Sequence, residues 1–485
     1  MLASDQQTLF WYDYETSGAD PKRDRPLQFA GVRTDLELNP IEEPVMFYAR
    51  PAEDFLPHPM ACLITGLTPQ KCLEEGLVEA EFIARVEAEL ARPGTCSVGY
   101  NTLRFDDEVT RFTLYRNFYD PYAREWQQGC SRWDIIDMVR LTRSLRPEGI
   151  VWPSYADGRP SLRLEDLAQA NGLDHGQAHD ALSDVYATLD LARLIRRLQP
   201  KLYDYVFQHR SKQAVTQLLD FTRHKPLLHI SSRYGQEYGH AALIAPLARH
   251  PQNPNAVIVW DLRQSPQRLL DEPVSTLRQA LYSTREHLPE GYQRPALKLL
   301  HLNRCPILAP AGMLNAQEAQ RLQISGEVSR QHLNWIRQHP EVLHRVAEIY
   351  AEETFPSVSD PDQMLYSGGF FSDLDKRLME QIRQAAPADL ADLHLPFQDP
   401  RLEEMFLRYK ARNYPETLNE QELMHWEEYR ARKLLGQDAQ GCLTFDAFYA
   451  EMNRIATEQQ PLSARDQQIL EALADYAESI YPMEF

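Results

Sequence analysis

The sequence predicts an α/β domain over residues 1–200, a small β-rich domain over 201–350 and a helical domain over 351–485. Three observations carry that prediction. Short apolar runs alternate with helical periodicity in the first part. From about Lys201 β-like runs follow one another between Pro, Gly and Asn. Beyond about Val328 the periodicity is helical almost to the end. A chain of 485 residues has room for three domains at ~100–200 residues each.

Leu9 to Glu15, Gln28 to Asp35 and Pro44 to Arg50 are apolar segments separated by Gly- and Pro-bearing turns, the pattern of an antiparallel meander. Ala80 to Ala91 carries apolar residues at helical spacing, Cys96 to Tyr100 is a short strand, and Asp106 to Phe118 is again helical. Three more helices are expected: Trp133 to Leu145, Leu162 to Ala170 behind a Ser161 cap, and Asp180 to Leu198 closed by Pro200. In the β-rich domain the runs are Leu227 to Ser231, Ala241 to Leu247, Ala256 to Leu262 and Leu297 to Leu302. The helical pattern that follows breaks at Pro356 to Gly369 and at Pro396 to Pro400.

Hydrophobic residues make up 43% and charged residues 25%, which excludes wholesale disorder. Lys and Arg total 51 against 70 Asp and Glu, a net charge of −19, so a polyanionic partner requires the bases to be gathered locally. The cysteines, Cys62, Cys72, Cys96, Cys130, Cys305 and Cys442, form no C-x-x-C pair and have no His partners at zinc spacing, so they read as reduced thiols. With no secretory signal pattern and no run near ~18 apolar residues, the expectation is a cytoplasmic protein with no membrane partner.

Asp13 and Glu15 lie two apart on the first expected strand and share a face, while Tyr12 and Tyr14 take the other. Flanked by Leu9, Phe10 and Trp11, these acids leave a core strand and call for a cation; Mg²⁺ or Mn²⁺ suits such oxygen donors. Alone, the pair also fits two surface acids at a strand end. A second group, Tyr100 to Asp107, ends a strand in Asn101 and starts a helix around Asp106 and Asp107, where Asp is equally a cap. The third group is His179 to Asp184. Positions five apart sit about 140° apart on a helix, so His179 must precede the helix to converge with Asp184. Together, four carboxylates and one histidine match what two-metal phosphodiester hydrolysis requires: acids for the metals and a base for the attacking water's proton.

Asp13-Tyr14-Glu15-Thr16-Ser17-Gly18, Asn101 with Phe105-Asp106, and His179 with Asp184 resemble the three motifs of the DEDDh 3′-to-5′ exonuclease superfamily, which has an RNase H-like fold. Within it, the stretches 104–111, 115–122, 145–149 and 178–181 are similar to the bacterial exonuclease I family of single-strand-specific deoxyribonucleases. The similarity continues through Asn303 to Pro306, Gly368 to Ser372 and Tyr409 to Asn413. Ser17 departs from the superfamily pattern, which often has a second Thr there.

The resemblance implies an RNase H-like exonuclease domain, an SH3-like domain and a helical domain arranged as a C-shaped clamp. Asp13, Glu15, Asp106 and Asp184 would hold two Mg²⁺ ions, with Mn²⁺ as a substitute, and His179 would be the general base. The implied activity is processive 3′-to-5′ degradation of single-stranded DNA to 5′-mononucleotides in DNA repair and recombination, by a monomer. Thr16, Asn101 and Phe105 would support the substrate end of the site, Phe105 being as compatible with core packing as with stacking on a base. The implied protein partner is the acidic C-terminal tail of the single-strand DNA-binding protein, with Arg146, Tyr205 and Lys225 as its contacts.

Three basic runs ease the charge problem: Arg140, Arg143 and Arg146; Arg210, Lys212, Arg223 and Lys225; and the acid-free stretch Phe406 to Tyr414 with Arg408, Lys410 and Arg412. Bases interleaved with aromatics suit a single strand, although each run alone also fits a solvated face. Tyr366, Phe370 and Phe371, around Gly368 and Gly369, are stacking or core residues. The alternatives are an exoribonuclease or proofreading exonuclease on the same catalytic domain, and a non-catalytic clamp. The two further domains disfavour the former, and the five filled catalytic positions the latter.

Overall fold

The computed structural model describes residues 7–173, 180–351, 358–458 and 461–482. The chain forms two compact units. One comprises the described residues of Met1–Ser131, His175–Leu189 and Pro356–Phe485, the other those of Arg132–Asp174 and Asp190–Phe355.

The first sheet has the order β3-β2-β1-β4-β5, from β1 (Thr8–Thr16), β2 (Pro26–Thr34), β3 (Val45–Tyr48), β4 (Thr95–Gly99) and β5 (Ser131–Asp134), where the chain passes into the second unit. The expected meander is present: β1 pairs antiparallel with β2, setting Asp13 against Ala30 and Glu15 against Gln28, and β2 pairs antiparallel with β3. β1 also pairs parallel with β4, from Thr8 and Thr95 to Trp11 and Val98, so it is an interior strand and its apolar side chains are buried. Trp11 is enclosed and donates through Nε1 to Thr34 Oγ1 at 3.0 Å.

One expectation is corrected at β5. Ser131–Asp134 is strand, and helix begins only at Ile136, where Asp134 Oδ1 accepts the Ile136 N–H at 3.0 Å. The helices Pro59–Thr65 and Pro69–Glu75 were not anticipated. Each starts with proline at its first position behind a capping side chain: His58 accepts from Met60 N–H and Thr68 from Lys71 N–H. Pro200 likewise closes one helix and opens another, Pro200–Gln208.

In the second unit an antiparallel sheet runs β10-β6-β7-β8-β9, from β6 (Leu227–Ile230), β7 (Ala241–Arg249), β8 (Ala256–Asp261), β9 (Leu297–His301) and β10 (Ile307–Pro310). Val215, Leu227, Ile244, Val257, Val259 and Leu300 fill its core. The last part of the chain is helical, as expected, with Asp373–Gln384, Arg401–Asn413, Glu420–Leu434, Phe445–Glu458 and Ala464–Ser479 as its long helices. Met379, Leu402, Met405 and Tyr409 pack with Tyr115 and Phe118, so the first and last parts of the chain share a core. Among the described residues no helix is long and apolar enough to cross a membrane.

Candidate active site

β1 supplies two acids on one face and two tyrosines on the other. The tyrosines dock the helix Asp106–Arg116: Tyr12 Oη donates to Asp107 Oδ1 at 2.8 Å and Thr110 Oγ1 donates to Tyr14 Oη at 3.0 Å. Buried Arg124 donates to the same Asp107 oxygen at 2.6 Å. Asp107 is therefore a structural anchor, and its neighbour Asp106 begins the helix without capping it. Asn101, after β4, takes a left-handed conformation at φ 64°, which Asn tolerates better than most residues and which turns the chain into the short 3₁₀ turn Thr102–Arg104 ahead of that helix.

Asp13, Glu15 and Asp184 converge. One carboxylate oxygen from each lies within 4.8 Å of the others, with Glu15 buried and the other two half-buried. Asp184 enters on the first turn of the helix Ala181–Leu198. Asp106 stands beside this set, and its charge acts on it. Burial, then the charges of Asp106, Asp184 and Glu15, hold the Asp13 carboxyl well above the usual carboxylate range. Burial, Asp184, Asp106 and Asp180 push Glu15 up to about 9. Both directions have the same physical meaning: the anions repel one another away from water, and a cation among them would relieve that repulsion. This all-oxygen donor set fits a hard divalent ion.

His179 lies outside the described residues. Thr16, at the bulged end of β1, donates through Oγ1 to the Gly18 carbonyl at 2.7 Å. Phe105 is partly buried against the cluster of Tyr12, Tyr14 and Phe29, which favours the packing role. Phe371 stacks on Tyr115, and Tyr366 donates to Glu108, whereas Phe370 is 93% exposed.

The acid-free stretch requires a correction. Arg408, Lys410 and Arg412 do not form an exposed phosphate track; their side chains are 6%, 4% and 3% exposed. Arg408 pairs with Asp360 at 2.6 Å and Asp362 at 3.1 Å, Lys410 with Glu422 at 2.5 Å, and Arg412 with Asp54 at 2.9 Å and Asp362 at 2.6 Å. Glu404, one turn before, also accepts from Arg408 at 2.8 Å, and the other partners come from segments farther away in the chain. In the second unit, Arg146 is ion-paired with Glu318, Tyr205 donates to the Leu308 carbonyl at 2.9 Å, and Lys225 is exposed.

Sequence reasoning missed Gln28. Its buried amide on β2 faces Glu15 across the strand pair and contacts the start of the helix bearing Asp184. A glutamine within the apolar first half of that strand, Pro26 to Val32, was the available signal.

Residues 10–192 match the Exonuclease family model, so fold and carboxylates together define an exonuclease. Residues 210–352 match the Exonuclease I SH3-like domain, and 359–480 the Exonuclease I C-terminal domain. The chain is 44% identical over 476 residues to exodeoxyribonuclease I of Escherichia coli, covering 98% of both chains. It superposes with a TM-score of 0.93 on a moderately thermophilic exonuclease I from Methylocaldum szegediense, at 48% identity, over 98% of this chain and 99% of that one. A zinc-bound E. coli exonuclease I complex with single-stranded DNA gives 0.91 at 43% identity, over 98% of this chain and 99% of that one. The chain belongs to the exonuclease I family. Its architecture is accordingly an exonuclease domain, an SH3-like domain and a C-terminal helical domain.

Proposed function

We propose that this chain is a processive 3′-to-5′ exonuclease that degrades single-stranded DNA to 5′-mononucleotides, with Asp13, Glu15, Asp106 and Asp184 as the ligands of two Mg²⁺ ions, Mn²⁺ serving in their place. The carrying observation is the convergence of Asp13, Glu15 and Asp184 within 4.8 Å on core elements, with Asp106 acting on the same set. When bound, the cations neutralise these acids and supply Lewis acidity at the phosphodiester. The carboxylates orient and hold them. His179 takes the proton of the attacking water. Thr16, Asn101 and Phe105 support the substrate end of the site; Arg408, Lys410 and Arg412, engaged in buried ion pairs, are left out of the proposed DNA track.

The DNA substrate is supported by the exodeoxyribonuclease and DNA-complex relatives. The reading extends to domains at 1–200, 201–350 and 351–485, a cytoplasmic monomer acting in repair and recombination, and a contact with the acidic tail of the single-strand DNA-binding protein. Exposed Lys225 and partly exposed Arg146, with Tyr205, supply cationic and aromatic groups for that tail. The test is hydrolysis of single-stranded DNA labelled at either end, alongside RNA of the same sequence. Mononucleotides released from the 3′ end in Mg²⁺, abolished by chelator and absent with RNA, are expected. Endonucleolytic products, or equal cleavage of RNA, would overturn the reading.

A further inference from the structure

Gln28 sits at the joint where the helix bearing Asp184 meets the β1–β2 pair. It is 1% exposed and stands opposite Glu15 in the β1–β2 register. Its Nε2 donates to Asp180 Oδ1 at 3.1 Å, and its Oε1 accepts the N–H of Ala181 at 3.3 Å. Ala181 is the first residue of the helix that carries Asp184, and the Asp180 carbonyl accepts Asp184's own N–H at 3.1 Å. One amide thus grips both the side chain before the helix and the first orphan donor within it. Helix starts leave such donors unsatisfied, and here a cross-strand glutamine does the work of a cap.

Chemistry explains why an amide is used. Asp180 also faces Glu15, whose protonated form it favours. A carboxylate at position 28 would add another anion, and an alkyl group would leave the Ala181 N–H and Asp180 without these partners. Only a neutral group that both donates and accepts fits between them.

We propose that Gln28 is a positioning residue of the catalytic centre, clamping the first turn of the Asp184 helix to the strand beside Glu15 so that the three carboxylates stay within a cation's reach. The inference rests on the metal-dependent reading above. Partners that orient metal ligands typically contribute 10–100-fold to affinity or activity.

The test pairs Mn²⁺ binding, followed by electron paramagnetic resonance without DNA, with steady-state kinetics on single-stranded DNA. Gln28→Met keeps the length and removes both hydrogen bonds. It is expected to weaken Mn²⁺ binding and lower kcat by ~10–100-fold each, with KM for DNA within about twofold. A purely structural role would instead lower the melting temperature and leave the folded protein's Mn²⁺ affinity unchanged, which overturns the inference. Should Gln28→Met fail to fold, Gln28→Asn decides. Its shorter amide cannot span both partners, so Mn²⁺ affinity must fall about tenfold, and an unchanged affinity overturns the inference equally. A wild type that binds no Mn²⁺ and cleaves no DNA removes the functional reading itself, and the inference with it.

Discussion

Each carboxylate of the candidate site is a compromise between holding a cation and tolerating its neighbours. Glu15, pushed up to about 9, is protonated in the metal-free folded protein over a range where the unfolded chain, with an ordinary Glu at ~4.3, is ionised. Its favourable contribution is complete below that unfolded value and is lost as pH rises through about 9. Glu15→Gln should therefore raise the metal-free melting temperature at pH 8 by a few degrees and abolish both hydrolysis and the Mg²⁺-induced rise expected of the wild type. Calorimetry with and without Mg²⁺ checks this, and a variant no steadier than wild type would show that the repulsion is relieved some other way. Asp13→Asn should behave alike, because burial and three neighbouring acids act on it in the same direction. His179→Ala makes a different forecast. Loss of a general base slows single-turnover cleavage by ~10²–10⁴-fold while sparing metal and DNA binding. It should also remove the acidic limb near the histidine value of ~6.5. An unchanged rate and limb across pH 5.5 to 9 would take the proton-transfer role away from His179.

At the scale of elements, legibility followed the range of the interaction. β1, β2 and the helix from Asp106 follow from local alternation and periodicity, and the shared face of Asp13 and Glu15 is a direct consequence of the strand's twofold repeat. Trp133 and Asp134 fall within the expected helix because the four residues of Ser131–Asp134 carry too little pattern to separate them from the periodicity beginning at Ile136. β10 was overlooked for a related reason: Pro306 and Pro310 bracket a three-residue apolar run. The helix Arg401–Asn413 shows the opposite limit. Its cations look available because no acid lies within residues 406–414, whereas Glu404 one turn back, and Asp54, Asp360, Asp362 and Glu422 through the fold, all reach them. Arg412→Ala leaves Asp54 and Asp362 short of a buried partner, so a loss of about 3–5 kcal/mol in stability is expected. The salt dependence of single-strand affinity should stay unchanged, since a lost phosphate contact would reduce the slope by about 0.7. Denaturant melts and a salt titration on the same variant separate these effects; a shallower salt slope would restore the DNA role.

Across the molecule, two buried charge clusters of opposite character set how the first unit responds to pH. Asp54 is fully enclosed and joins three parts of the chain: Arg412 at 2.9 Å, Lys433 at 2.8 Å and Arg25 at 3.8 Å. Burial alone would raise its carboxyl, but these cations outweigh burial and hold it well below the usual range. Asp362, beside Arg412 and Arg408, is lowered for the same reason. A depressed carboxylate stabilises the fold above its unfolded value of ~3.9, and that contribution disappears as pH falls through the folded value. The Asp13–Glu15 cluster does the reverse, weakening the metal-free protein as pH rises toward 9. The metal-free protein should thus show a stability maximum with an acid limb from one cluster and an alkaline limb from the other. A divalent cation should lift only the alkaline limb, because the acids around Asp54 are already neutralised by Arg and Lys. Asp54→Asn should flatten the acid limb and cost about 3–5 kcal/mol at neutral pH, as Arg412 and Lys433 lose their shared anion. Scanning calorimetry from pH 3 to 10, with and without Mg²⁺, would refute this division if Mg²⁺ shifted both limbs together or if Asp54→Asn left the acid limb in place.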